Sequence, residues 1–360
     1  MVNDAIPLDA IHRVLVIKLR HHGDVLLTSP VFSVLKAHVP DAEIDALVYA
    51  DTAQMLTQHP GISEIHCIDR HWKKIGVFSH LRAEWALLKA LRGRRYDLIV
   101  HLTDHPRGAW LSRLCRASWS VTRKTGGRGR WWANSFTHFY RAPINSPRHT
   151  VEQNLDALRR VGIYPDADER CLTLIPGGDA EARVGFLMQE LGLDGRAFVH
   201  IHPASRWFFK CWSVDKMAAL IDHLQADGHL IVLSAAPSKN EMAMIAAITA
   251  RLNKPALSLA GQLSLKELAA LTARARLFIG VDSAPMHIAA AMGTPTVALF
   301  GPSGDKEWGP WAVVHRIVAS DAHPCRPCGI DGCGGSKVSD CLTTLSVERV
   351  YRAVQELLGQ

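Results

Sequence analysis

The sequence predicts an α/β protein made of two successive doubly wound units, and three observations carry that prediction. Short apolar runs suited to strands alternate with helical segments along nearly the whole chain. One stretch, Leu277 to Gly304, spells out a complete βαβ unit. Near the middle, Pro176-Gly177-Gly178 interrupts the alternation as a linker would, which sets the domains at 1–176 and 177–360. A chain of 360 residues, 48% of them hydrophobic, also exceeds one small core, so two domains are expected on size alone.

Taken in order, Arg13 to Leu19 (RVLVIKL) reads as the first strand, and Arg20-His21-His22-Gly23-Asp24 as the loop leaving its carboxyl end. A helix follows over about residues 25–36, with Pro30 in its early turns. Glu43 to Tyr49 and Glu64 to Ile68 are strands, residues 81–91 a helix, and Asp97 to Leu102 a strand whose end delivers Thr103 and Asp104. From Pro106 onward the pattern is less regular, with Arg107, Arg113, Arg116, Arg123, Lys124, Arg128 and Arg130 interleaved with Trp110, Trp119, Trp131 and Trp132. Such a mixture suits sugar and phosphate contacts and equally suits nucleic acid. Residues 151–161 read as a helix, and Cys171 to Ile175 as a strand closing the first domain. After the linker comes a helix over residues 180–191. The second series then runs from the strand Ala197 to His202 through the loop Pro203 to Trp212 (PASRWFFKCW) into a helix capped by Ser213. Leu230 to Ser234 is its next strand, both Ser238-Lys239-Asn240-Glu241 and Ser264-Leu265-Lys266-Glu267 are capping-box sequences, and residues 347–358 form a final amphipathic helix.

Within the Leu277–Gly304 stretch, Leu277 to Val281 and Thr296 to Phe300 read as buried parallel strands. The helix between them is capped by Asp282 or Ser283, takes Pro285 in its first turn and ends at Gly293 in the left-handed position. Ligands of open parallel sheets bind beyond the carboxyl ends of the strands. Asp282, Ser283, His287 and the Gly301-Pro302-Ser303-Gly304 loop stand at that edge, where the helix start offers N–H groups and a positive dipole end to a diphosphate. Ser205, Arg206 and Lys210 stand at the same edge, a hydroxyl and two cations suited to the same group. Gly23-Asp24 puts a carboxylate beside a glycine at the end of the first strand, a position for a general base. Each has a plainer reading: Asp24 and Asp282 as helix caps, His287 as a core-edge histidine, and Glu241 as a cap rather than a ribose ligand.

Charge is unevenly spread. From His71 to Arg148 there are 16 Lys or Arg against three acids, a net of +13, so within an overall +7 the remainder nets −6 (7 − 13). So lopsided a split points to an anionic partner: phosphorylated glycolipid, anionic membrane face or nucleic acid. No apolar stretch reaches membrane-spanning length and the start shows no signal-peptide pattern, so a cytoplasmic protein is expected. The tail carries Cys325-x2-Cys328-x4-Cys333-x7-Cys341, a spacing open to structural zinc, to a redox role or to reduced thiols.

With Gly23-Asp24, the PASRWFFKCW loop, Glu241 and VDSAPMHIAAAMGTPTVALFGPS in this order, the chain resembles glycosyltransferase family 9, the ADP-heptose:lipopolysaccharide heptosyltransferases. The likeness spans nearly the full length, and the cysteine-rich tail is most similar to the heptosyltransferase III branch of inner-core synthesis. The resemblance implies a GT-B fold, two Rossmann-like doubly wound domains facing across a cleft, the first binding acceptor and the second ADP-heptose. It implies Asp24 as catalytic base, Ser205 and Lys210 at the diphosphate, Glu241 at the adenosine ribose, and Asp282, Ser283 and His287 near heptose and phosphates. Family members often carry Thr-Gly where this chain has Ser283-Ala284, and threonines where it has Ala204, Ser205 and aromatics. No acidic DxD pair stands at the diphosphate edge, so the expectation is an inverting, metal-independent single displacement with no cofactor besides the donor sugar nucleotide. The basic region then serves the acceptor, with Lys73, Lys74, Arg107, Arg123 and Arg128 holding inner-core anions at the inner leaflet, peripheral to the membrane. Transfer of the first or second core heptose, and non-catalytic binding of a sugar nucleotide or an anionic polymer, are the alternatives. General nucleic-acid binding is disfavoured by the lack of a recognised motif.

Overall fold

The computed structural model describes residues 5–74, 76–142 and 147–359, and the chain divides into two units, Met1–Ile175 and Pro176–Gln360. In the first, strands β1 (Arg13–Ile17), β2 (Glu43–Tyr49), β3 (Glu64–Ile68), β4 (Leu98–His101), β5 (Trp119–Arg123) and β6 (His138–Tyr140) form one parallel sheet of order β3-β2-β1-β4-β5-β6. Helices α1 (His22–Leu26), α2 (Ser29–His38), α3 (Val77–Arg94), α4 (Pro106–Cys115), α5 (Gly129–Ala133) and α6 (Thr150–Arg160) make the crossovers and close the unit. Its strands are Val, Ile and Leu-rich because helices cover both faces, and Leu15, Ile17, Leu47 and Ile99 have no exposed surface.

The second unit repeats the plan. It contains α7 (Gly178–Glu190), β7 (Phe198–His202), α8 (Val214–Ala226), β8 (Leu230–Leu233), α9 (Lys239–Thr249), β9 (Leu257–Ser258), α10 (Leu265–Ala273) and β10 (Leu277–Val281). These are followed by α11 (Ala284–Ala291), β11 (Thr296–Phe300), α12 (Asp305–Trp308), β12 (His315–Ala319), α13 (Asp340–Thr343) and α14 (Val347–Leu358). The sheet order is β12-β11-β10-β7-β8-β9, again all parallel. Its central strands are entirely buried, and α14 seats Val350, Val354 and Leu357 in the same core as Met217, Leu220 and Ile279.

Three expectations need correction, and two strands were not anticipated. The single helix over residues 25–36 is two, α1 and α2, because Pro30 has no N–H to give the preceding turn and the chain restarts at Ser29 with the proline in its opening positions. The irregular run after Pro106 is α4, β5, α5 and β6, short elements whose exposed faces carry the Arg and Trp that hide their period. Cys171 to Ile175 joins no sheet: Thr173 N–H is taken by Ser29 Oγ at 2.9 Å on α2, and Thr173 Oγ1 meets Ser33 Oγ at 3.4 Å. Two strands, β9 and β12, lie in segments that no clear apolar alternation marks.

Candidate active site

In each sheet the strand order reverses once, between β1 and β4 and between β7 and β10, and ligands of doubly wound sheets bind beyond the carboxyl ends at such points. In the second unit β7 runs out into the 203–212 loop and β10 ends at Val281, delivering Asp282 beside it. Lys210 Nζ donates to Asp282 Oδ2 at 2.6 Å. The carboxylate is 6% exposed, so the lysine is the charge that compensates it. Packing fixes the lysine's loop: Phe209 is buried and its carbonyl accepts from Ser339 Oγ at 2.6 Å, while Trp212 Nε1 donates to the Leu345 carbonyl at 3.3 Å. Ser205 is buried in the same loop, its Oγ accepting from Trp207 N–H at 3.3 Å.

Ser283 is the N-cap of α11, but its Oγ donates back to the Val281 carbonyl at 3.2 Å, so no side chain caps that helix start. His287 is buried within α11. The Gly301–Gly304 loop leaves β11 at the same edge. A Cβ at Gly301 would stand 2.5 Å from Leu342 Cδ1, so any larger residue would have to displace that buried leucine, and Arg326 Nε and Gly329 N–H bind the carbonyls of Gly301 (2.6 Å) and Pro302 (2.9 Å). The cysteine-rich tail therefore buttresses this loop. Its thiols are free: Cys325, Cys328 and Cys333 are exposed and Cys341 is buried.

Glu241 opens α9 and is buried. Its Oε2 accepts from Ala236 N–H at 2.9 Å and lies 3.9 Å from His202 Nε2. The two capping-box sequences therefore differ: Glu267 reaches back to Ser264 N–H at 2.6 Å, whereas Glu241 holds the loop after β8. Beside it, His202 Nδ1 and His200 Nε2 share Ser234 Oγ at 2.9 and 2.7 Å. Burial pushes His202 down to about 4 and His200 down to about 3, so both are neutral at physiological pH.

In the first unit Asp24 lies in the first turn of α1, directly after β1, and is half-buried. Leu19 N–H donates to Thr103 Oγ1 at 2.9 Å, tying the segments that leave β1 and β4. Lys18 is buried between them, and its Nζ donates to Asn154 Oδ1 at 3.1 Å, while Asn154 Nδ2 donates to the Leu27 carbonyl at 2.9 Å. Burial pushes the Lys18 ammonium below its usual range, and the Asp24 carboxylate is the strongest influence pulling it back up, with Asp104 adding to it. Asp24 thus sits in the field of a buried cation.

Of the five basic residues assigned to the acceptor, Lys74 is exposed, and the side chain of Lys73 lies outside the described residues. Arg107 is ion-paired with Glu84 of α3. Arg123 donates to the Ala142 carbonyl at 2.8 Å and is among the charges felt by Lys18, and Arg128 bonds the Asp104 carbonyl with its guanidinium 4.9 Å over the Trp132 ring. Arg123 and Arg128 therefore belong to the Asp24 edge, and Arg107 to the α3–α4 contact. Among the described residues one carboxylate and histidine group has metal-ligand spacing, Asp45, Glu64 and His66. It lies in the amino-terminal halves of β2 and β3, and Asp45 already accepts from Arg94 Nε (2.7 Å), Arg94 NH2 (3.0 Å) and Tyr96 OH (2.7 Å).

Residues 84–337 match the sequence profile of glycosyltransferase family 9 (heptosyltransferase). The chain belongs to glycosyltransferase family 9. It is 40% identical to lipopolysaccharide heptosyltransferase 3 of Escherichia coli K12 over 298 residues, covering 81% of this chain and 83% of that protein. Its fold matches a family 9 glycosyl transferase from Veillonella parvula with a TM-score of 0.83 at 22% identity, covering 98% and 99% of the two chains. It also matches the E. coli ADP-heptose lps heptosyltransferase II with a TM-score of 0.75 at 21% identity, covering 97% and 99%. The two doubly wound units are those of the GT-B fold, and the protein is a glycosyltransferase of the heptosyltransferase family, similar to the heptosyltransferase 3 branch.

For this glycosyltransferase, sequence reasoning placed Lys210 and Asp282 at one edge, and the structure adds that they are ion-paired. It passed over Lys18, although one lysine inside the apolar run RVLVIKL was the available signal, since a charge within a buried run needs a reason. The pair His200 and His202 on β7 was visible only as letters in a strand; their common partner Ser234 lies on the neighbouring strand's extension.

Proposed function

We propose that this chain transfers heptose from ADP-L-glycero-D-manno-heptose to a heptose of the lipopolysaccharide inner core, adding the third core heptose. The observation that carries the reading is a division of chemistry between two switch points: a carboxylate after β1 and an anchored lysine after β7. The 40% identity to a lipopolysaccharide heptosyltransferase 3 supports the acceptor, and the fold of an ADP-heptose lps heptosyltransferase supports the donor. In the proposed reaction Asp24 takes the proton of the acceptor hydroxyl as its oxygen attacks the anomeric carbon. The bond from that carbon to the β-phosphate oxygen breaks, and ADP leaves with the electron pair. One displacement inverts the configuration. Lys210 and the uncapped start of α11 meet the charge that grows on the diphosphate, so the chemistry calls for no metal and no cofactor beyond the donor.

Glu241 in this reading receives the adenosine ribose, Ser205, Ser283 and His287 line the donor, and Lys73, Lys74, Arg107, Arg123 and Arg128 face the anionic acceptor. Of these arginines, Arg123 and Arg128 stand closest to the chemistry, since both lie at the Asp24 edge. The enzyme works at the cytoplasmic face of the inner membrane without crossing it; no helix among the described residues is long and apolar enough to span. The test is mass spectrometry of inner-core lipopolysaccharide incubated with the protein and ADP-heptose, with EDTA and Asp24→Ala in parallel. A gain of one heptose with wild type, unaffected by EDTA and absent with the variant, is expected. A gain with Asp24→Ala equal to wild type would overturn the assignment.

A further inference from the structure

Helix α3 carries apolar residues on two faces. Leu87 and Leu91 enter the core with Leu15, Ile17 and Ile99. On the other side Val77, Phe78, Leu81 and Trp85 fall within one helical face and stand in solvent, with Phe78 88% and Trp85 66% exposed. Helix α4, which packs on α3, and α5 carry further exposed apolar side chains. Trp110 and Leu114 are exposed, Trp131 is exposed with its ring 4.8 Å from that of Trp110, and the Arg107–Glu84 ion pair ties α4 to α3. Large apolar side chains gathered this way on a folded surface mark a place where something docks.

The residues around the patch identify the occupant. Lys74, Arg82, Lys89 and Arg92 flank it on the α3 side, and Arg113, Arg116 and Arg130 on the α4 and α5 side, all exposed. The one acid of α3, Glu84, is already paired with Arg107 and with His80 at 3.1 Å. Exposed tryptophan and phenylalanine with exposed lysine and arginine on the same helices is the composition of a helix lying in a lipid headgroup layer, apolar side in the acyl boundary and cations on the phosphates. A second copy of this chain would bring two strongly basic surfaces together, which costs rather than stabilises.

We propose that the outer face of α3, with Trp110 of α4 and Trp131 of α5, is a membrane-docking surface that inserts Phe78, Leu81 and Trp85 among anionic phospholipids. The proposal deepens the reading of a peripheral enzyme and rests on it for its purpose, namely bringing the Asp24 edge to a lipid-anchored acceptor.

The test uses the full-length protein and sedimentation with vesicles of phosphatidylethanolamine and phosphatidylglycerol, compared with phosphatidylcholine alone, in the absence of lipopolysaccharide. Wild type should sediment with the anionic vesicles, and Phe78→Ser/Leu81→Ser/Trp85→Ser should lose roughly tenfold or more in vesicle affinity. An independent variant, Arg82→Glu/Lys89→Glu/Arg92→Glu, should lose as much while leaving the apolar face intact. Both variants change exposed side chains, and equal melting temperatures would verify that the fold is kept. Heptose transfer to a deacylated, water-soluble acceptor should be unchanged in both. Vesicle binding unaltered by the serine variant would overturn the proposal, as would a wild-type dimer that the serine variant dissociates. Wild type that binds vesicles but transfers no heptose would instead count against the proposed function and leave the docking surface standing.

Discussion

The Lys210–Asp282 pair gives the sharpest separation of stability from chemistry. Replacing Lys210 by Met keeps the stem and its packing but leaves the Asp282 carboxylate, 6% exposed, without its cation. Removing one partner of a buried ion pair costs about 3–5 kcal/mol. Lys210 keeps 22% of its side chain exposed, and water partly replaces it there, so about 2 kcal/mol is expected. In a unit of this size that is roughly 4–8 °C in the melting midpoint. Asp282→Asn keeps the shape and one acceptor and should cost about 1 kcal/mol. In the double variant no unpaired buried charge remains, so its cost should fall short of the sum of the singles by roughly 1–2 kcal/mol. Turnover should show no such recovery. Lys210→Met and the double variant should both lose about 10²–10³ in kcat, because in the proposed reaction the missing ammonium meets the departing diphosphate. Denaturant melts and steady-state kinetics on the four proteins measure both quantities. Additive stabilities would refute the claim that the two side chains compensate each other, and turnover restored in the double variant would refute the catalytic use of Lys210.

The buried histidines of β7 set an acid limit. Their folded pKa values, about 4 for His202 and about 3 for His200, lie below the unfolded value near 6.5, so as pH falls the unfolded chain takes up protons first. Their contribution is complete above about pH 6.5 and is lost as pH falls toward 4. Between pH 6.5 and 5 each should account for roughly 2 kcal/mol, and His202→Gln should flatten that slope in urea melts; an unchanged slope would count against neutral burial. In the first unit, Arg94→Met strands the Asp45 carboxylate, which has no exposed surface. Burial there pushes the carboxyl up, and hydrogen bonds from His66, Arg94 and Tyr96 outweigh it to hold it below its usual range. A loss of about 3 kcal/mol is expected by chemical denaturation, with ADP-heptose affinity unaltered because the network belongs to the first unit and the proposed donor site to the second.

Much of this architecture is legible in the residues, for a physical reason. Strands covered on both faces read as unbroken apolar runs, so Leu277–Val281 and Thr296–Phe300 emerge with the bounds they have in the fold. The αβ alternation then locates the carboxyl edges, and with them Asp24, Lys210 and Asp282. What stays hidden is decided by tertiary partners. β12 (HRIVA) opens with His and Arg and is only partly buried over its first three residues, so no apolar run marks it, and Cys171 to Ile175 resembles a strand but joins no sheet, its Thr173 N–H going to the Ser29 hydroxyl on α2. Lys18 matters through Asn154, which lies 136 residues away, and no local pattern signals that bond. Glu241 shares its sequence signature with Glu267, and only the position of Ala236 N–H distinguishes a loop clamp from a reciprocal cap. The α3 region was readable as charge, but helical periodicity does not say which apolar side faces inward, so that Phe78, Leu81 and Trp85 stand in solvent while Leu87 and Leu91 enter the core is seen only in the fold.

The central claim is that the first domain supplies the base and the second holds the donor. The measurement that tests it most directly is ADP-heptose affinity by titration calorimetry beside single-turnover heptose transfer for Asp24→Asn. Near wild-type donor affinity with transfer reduced by roughly 10²-fold or more is the predicted result. Transfer at the wild-type rate, or loss of donor binding in parallel with loss of transfer, would contradict the account.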